Sequence, residues 1–137
     1  PIRVSTEAAI PYASLWPIRV PGVPFSATSC GDYVPGDPAN NRYINVDAFA
    51  TPPPFTFGDI SQLPNLRQCA YLEENFGIDK EFVIKEQKRI RFGSLLQNAL
   101  NRHVWRGLNT NINSPAFGEF GDAYPGRNIQ FYLRVEF

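Results

Sequence analysis

The chain has 137 residues, enough for one domain with a modest core. Thirteen lysines and arginines balance thirteen aspartates and glutamates, so no net field draws it to nucleic acid or an anionic membrane surface. No run of about 18 apolar residues offers a membrane-spanning helix. The mean hydropathy of −0.27 still leaves room for a membrane barrel, whose alternating strands average out.

The chain begins with Pro1 and holds no methionine, so it is expected to be a processed or partial product. Residues 1–74 are punctuated by proline, as in "IPYASLWPIRVPGVPF", "YVPGDPANN" and "FATPPPFTFG". Proline removes backbone donors and fixes φ, so long helices and central strands are not expected there. Trp16–Val20 and Tyr43–Phe49 read as short extended pieces. Trp16, Phe25, Tyr33, Tyr43, Phe49, Phe55 and Phe57 are too many aromatics for a disordered linker. The region reads as an ordered, loop-rich domain with short strands. Cys30 and Cys69 lie in it, and in an oxidising compartment they are a candidate disulfide.

Residues 75–137 change character. "NFGIDKEFVI" (75–84) and "RIRFGSLLQNAL" (89–100) alternate, with "KEQK" (85–88) as a short turn between them. A helix over 94–102 competes, because Leu95, Leu96, Ala99 and Leu100 also fit a 3.6-residue period. A connection rich in Asn, Gly and Pro follows. The last stretch, "NIQFYLRVEF" (128–137), puts Ile129, Phe131, Leu133, Val135 and Phe137 on one face and polar or amphipathic residues on the other.

The predicted fold is all-β, with antiparallel strands and long Pro/Gly-rich loops, divided into 1–74 and 75–137. Strands of about ten residues match a tilted bilayer crossing. A turn of about four residues followed by a connection of about 25 matches the short periplasmic turns and long outer loops of outer-membrane barrels. In that arrangement Phe137 and "KEQK" lie on the periplasmic side, residues 1–74 lie outside, and the odd positions of 128–137 face lipid. The same alternation also fits a strand of an ordinary β-sandwich facing a protein core.

Little points to catalysis, metal or cofactor. His103 is the single histidine, so neither a zinc pair nor a triad is available. Glu73, Glu74, Glu119 and Asp122 read as solvated loop carboxylates. "GDYVPGDPANN" (31–41) lacks the ordered spacing of a calcium loop. No catalytic, cofactor-binding or metal residue is assigned, and the chain is read as a non-enzyme that does not bind nucleic acid. Trp16, Tyr33, Tyr43, Trp105, Phe117, Phe120 and Tyr124 suit packing or an interfacial belt better than a ligand surface.

Three blocks in order carry a family likeness: "RYINVDAFATPPPFTFGD" (42–59), "NFGIDKEFVIKEQKRIRFGSLLQNALNRH" (75–103) and "NTNINSPAFGEFGDAYPGRNIQFYLRVEF" (109–137). Within them Lys80, Phe82, Asn98, Asn101, Asn111, Phe117, Gly118, Arg127, Gln130, Phe131 and Phe137 fit the pattern. They resemble the C-terminal end of Oar-like TonB-dependent outer-membrane receptors, the type with a carboxypeptidase-regulatory-like domain. Asp79, Gly93, Ser94 and Leu95 depart from that pattern, making the lumen face less charged and the middle strand weaker. The resemblance implies the last strands and loops of a large barrel that imports a bulky nutrient or metal complex. The implied partners are the remaining strands and plug, the barrel-assembly machinery reading Phe137 as its signal, and TonB acting through an N-terminal part. The alternative is a secreted extracellular subunit in which Ile129, Phe131, Leu133, Val135 and Phe137 face identical copies, joined by strand exchange into a filament.

Overall fold

The computed structural model describes residues 1–6, 16–85 and 88–137. Among them every paired strand is antiparallel and no α-helix occurs. The strands are β1 (Ile2–Arg3), β2 (Ile18–Arg19), β3 (Phe49–Ala50), β4 (Gln62–Leu63), β5 (Phe76–Lys85), β6 (Lys88–Gln97), β7 (Trp105–Leu108), β8 (Phe120–Ala123) and β9 (Asn128–Glu136). The chain divides into two units. One holds Pro1–Cys69 and Trp105–Ala123, and the other holds Ala70–Val104 and Tyr124–Phe137. Residues 105–123, grouped with 75–137 in the sequence reading, therefore cluster with the first unit.

The first unit is built from two-residue and four-residue ladders: β1 with β4, β2 with β3, and β7 with β8. Prolines keep β2, β3 and β4 short: Pro17 and Pro21 flank β2, Pro52 follows β3 and Pro64 follows β4. A 3₁₀ turn at Val46–Ala48, capped by the Asn45 side chain, interrupts the extended piece expected at Tyr43–Phe49. The core gathers Ile2, Val4, Tyr33, Tyr43, Ile44, Ala48, Phe49, Leu63, Leu66, Phe117 and Phe120. Aromatic rings carry much of it. Tyr33 meets Phe120 edge-on with centroids 5.0 Å apart, and Phe117 meets Phe49 at 5.5 Å.

Residues 105–123 join this core for identifiable reasons. Ser5 N–H donates to Thr110 O and Ser5 O accepts from Ile112 N–H, both at 3.0 Å. The buried Thr6 hydroxyl donates to Asn113 Oδ1 at 2.7 Å. Arg42 donates to the carbonyls of Phe117 and Pro115. Tyr43 N–H reaches Gly118 O at 2.7 Å. Gly118 has φ +82°, and a Cβ there would stand 2.5 Å from Ile44 O, so only glycine fits this crossing. Cys30 and Cys69 are bonded, with Cα atoms 5.7 Å apart.

The second unit is a three-stranded sheet in the order β5-β6-β9. Its register is continuous, with one irregularity between Val83 and Lys85. Glu86 and Gln87, the tip of the expected "KEQK" turn, lie outside the described residues. The helix that competed over 94–102 does not form. Residues 94–97 continue β6, and Asn98 turns the chain with φ +47°. Asn98 is buried and fully used: it donates to Arg102 O (2.9 Å) and Pro125 O (3.3 Å) and accepts from Arg102 N–H (2.8 Å). Asparagine tolerates this left-handed region because its short amide bonds locally, which leucine-rich periodicity does not reveal.

Candidate functional site

The sheet of the second unit has two chemically opposite faces, and register assigns every residue to one of them. On one face the cross-strand rows run Phe76–Leu96–Ile129, Ile78–Ser94–Phe131, Lys80–Phe92–Leu133 and Phe82–Ile90–Val135. Phe92 and Phe131 stack with centroids 6.1 Å apart. Within the described residues nothing covers this face. Ile78 is 69% exposed, Phe131 70% and Leu133 65%. Contiguous apolar area of this kind marks an interaction or membrane surface.

The other face carries charge. Its rows include Asp79–Gly93–Tyr132 and Glu81–Arg91–Arg134. Arg91 bridges Glu81 at 2.9 Å and Asp79 at 3.6 Å, Arg89 reaches Glu81 at 3.5 Å, and Arg134 pairs with Glu136 at 2.8 Å. Asp79, a departure from the family pattern, thus works as an ion-pair partner. Gly93 was expected to weaken the strand. The structure lays the Tyr132 ring over it, where a Cβ would come within 2.5 Å of the ring. An aromatic covering a strand glycine restores part of the lost packing. Leu95 and Val83 interrupt this face with apolar side chains.

The sequence singled out the odd residues of 128–137, and β9 presents Ile129, Phe131, Leu133 and Val135 together on the apolar face, with Phe137 exposed just beyond it. The aromatics proposed from loops do not assemble into a ligand surface. Tyr33, Tyr43, Phe117 and Phe120 are core, and Trp105 packs against it. Tyr124 meets Tyr71 edge-on in the second unit, and Trp16 is exposed. Among the described residues no group of three His, Cys, Asp or Glu could hold a metal ion. In 31–41 the acids serve turns: Asp37 accepts chiefly from the Asn40 amide and also from Ala39 N–H, which hold its carboxyl below the usual range. Asp122 is lowered similarly, chiefly by its hydrogen bond from Arg106. Burial pushes the Tyr43 phenol up, and its hydroxyl donates to Arg67 O.

Sequence reasoning missed two features. One is the β7–β8 hairpin, hidden because "WRGL" and "FGDA" are short and carry glycines that blur alternation. The other is Lys80, a charge on the apolar face, which period-two counting along β5 alone would have found.

A two-faced sheet with one uncovered apolar side is the wall segment expected of a membrane barrel. A family model described as an outer membrane beta barrel domain matches residues 3–130, while no curated protein and no solved structure matches. The chain belongs to the outer membrane beta barrel domain family.

Proposed function

We propose that this chain is part of a TonB-dependent receptor of the Oar-like type, which imports a bulky nutrient or metal complex across the outer membrane. The observation that carries the reading is the two-faced sheet, with its uncovered apolar side and its ion-paired side. The sequence likeness of 42–59, 75–103 and 109–137 to such receptors supplies the finer identity. In this reading β5, β6 and β9 form wall, with the apolar rows against lipid and the charged rows toward the lumen. The disulfide-braced first unit is extracellular, where Cys30–Cys69 persists. Further strands complete the barrel, a plug fills it, the assembly machinery recognises the Phe137 end, and TonB acts through an N-terminal part. Deleting the gene, or separately the cell's TonB, is expected to abolish growth on the same bulky nutrient or metal complex. Uptake that continues without TonB, with the protein in the outer membrane, would exclude this transport role.

Among the described residues no strand pairs with the outer edges of β5 and β9, which favours a second reading, a secreted subunit that joins copies by strand exchange. Fractionation separates the two. Detergent extraction with heat-modifiable mobility belongs to the barrel, and fibres that sediment without detergent belong to the filament.

A further inference from the structure

Among the described residues the apolar face has two charged residues, Lys88 at the β6 end beside the turn and Lys80. Lys80 stands in its middle, with Ile78 and Phe82 two positions away along β5 and Phe92 opposite on β6. Its chain neighbours Asp79 and Glu81 project to the other face, where Arg91 engages both. Among the described residues no ion pair involves Lys80. Four or five residues separate it from either end of β5. At about 3.3 Å per residue and a tilt of about 45°, roughly 9 Å of depth lies between Lys80 and each membrane interface. The four-carbon lysine stem falls short of that, so its ammonium cannot reach water by stretching.

A lone ammonium at this depth is strongly disfavoured, and such residues pair. The partner's position follows from the sheet. β6 occupies one side of β5, and among the described residues no strand pairs with the other side. A spanning sheet cannot leave that edge unpaired. Directly opposite residues on one face of paired strands have Cβ atoms about 4.5–5.5 Å apart, within ion-pairing reach. A second copy of this sheet offers no counter-charge there, because its described apolar rows contain no Asp or Glu.

We infer that the strand pairing with the open edge of β5 carries an Asp or Glu opposite Lys80 on the lipid-facing side, forming an ion pair that fixes the register of that joint. A one-residue slip would carry the carboxylate to the other face and leave Lys80 alone in hydrocarbon, so the pair selects one register. This inference rests on barrel membership and the lipid-facing assignment, and is independent of what the barrel transports.

The test uses the full-length protein, folded in dilauroyl phosphatidylcholine vesicles and, separately, in isolated outer membranes. In vesicles, Lys80→Leu is expected to lower the denaturant midpoint and Lys80→Arg to keep it. In the outer membranes, a zero-length carbodiimide is expected to join Lys80 Nζ by an amide to a carboxylate on the strand beside β5, located by peptide mass spectrometry. A raised or unchanged midpoint for Lys80→Leu, no amide at Lys80, or an amide to a separate polypeptide overturns the inference. Phe131→Arg, measured alongside, separates the two layers. If it lowers the midpoint, the lipid assignment stands whatever Lys80 does. If it does not, that assignment fails first.

Discussion

The two units treat their apolar residues in opposite ways. In the first, Ile44, Leu63 and Phe117 are shut away from solvent although almost no regular structure surrounds them. In the second, Ile78, Phe131 and Leu133 sit in well-formed ladders and stay open. Regular hydrogen bonding and burial are therefore separable. Short ladders and loops can wrap a core of their own when side chains such as Arg42, Tyr43 and Thr6 satisfy the backbone and one another, and a disulfide closes the loop. A single three-stranded layer cannot fold its apolar face onto itself, so that face needs an apolar surface from outside the sheet. The first unit carries its own core, whereas the second depends on what covers its apolar face.

The sharpest way to break this contrast is to hollow the first core. Phe117→Ala should cost about 3–5 kcal/mol, read as a lower denaturant midpoint by Trp105 fluorescence in a Trp16→Phe background. The barrel's heat-modifiable mobility should be unaffected; its loss would show that the units do not fold separately. Next comes the disulfide. Replacing both Cys30 and Cys69 with serine should cost about 3–4 kcal/mol by the loop-entropy estimate, seen as faster proteolysis within 1–69. Phe131→Arg should cost about 2–4 kcal/mol near the midplane, measured by folding into vesicles. A cost near zero would mean that this face meets water or protein.

The smallest expected effect concerns pH. The Tyr43 phenol is raised above its ordinary value of 10.0 by burial, so the folded state holds it neutral. Its contribution is complete below about pH 10 and is lost as pH rises through the folded value. Tyr43→Phe should lower neutral-pH stability by about 1 kcal/mol through the lost bond to Arg67 O and flatten the alkaline decline. An equally steep decline in the variant would assign it to other tyrosines.

Much of the second unit was legible in the sequence. Alternation gave β5 and β9 to within a residue and β6 to within three at its C-terminal end, because a strand with two unlike faces writes a period of two. The helix alternative failed at Asn98, whose role depends on Arg102 and Pro125 and so cannot be read locally. In the first unit proline correctly forecast short pieces, and the cysteine pairing was expected. Its core was not legible, because Ile2, Phe49 and Phe117 meet only after long-range closure. The β7–β8 pair, already masked by its short, glycine-bearing strands, is also held from a distance, since Ser5 and Thr6 tether its connecting segment from the far end of the chain. Lys80 was within reach of period-two counting along β5, and register adds Phe92 opposite it.

The most direct test of the membrane-facing sheet is a single-cysteine scan of 128–135 in the folded, vesicle-embedded protein, each site carrying a fluorophore. Quenching by a lipid-borne quencher should peak at 129, 131, 133 and 135, and quenching by aqueous iodide at 128, 130, 132 and 134. Equal lipid quenching at odd and even sites, or iodide access to the odd sites, would contradict a sheet with one face in hydrocarbon.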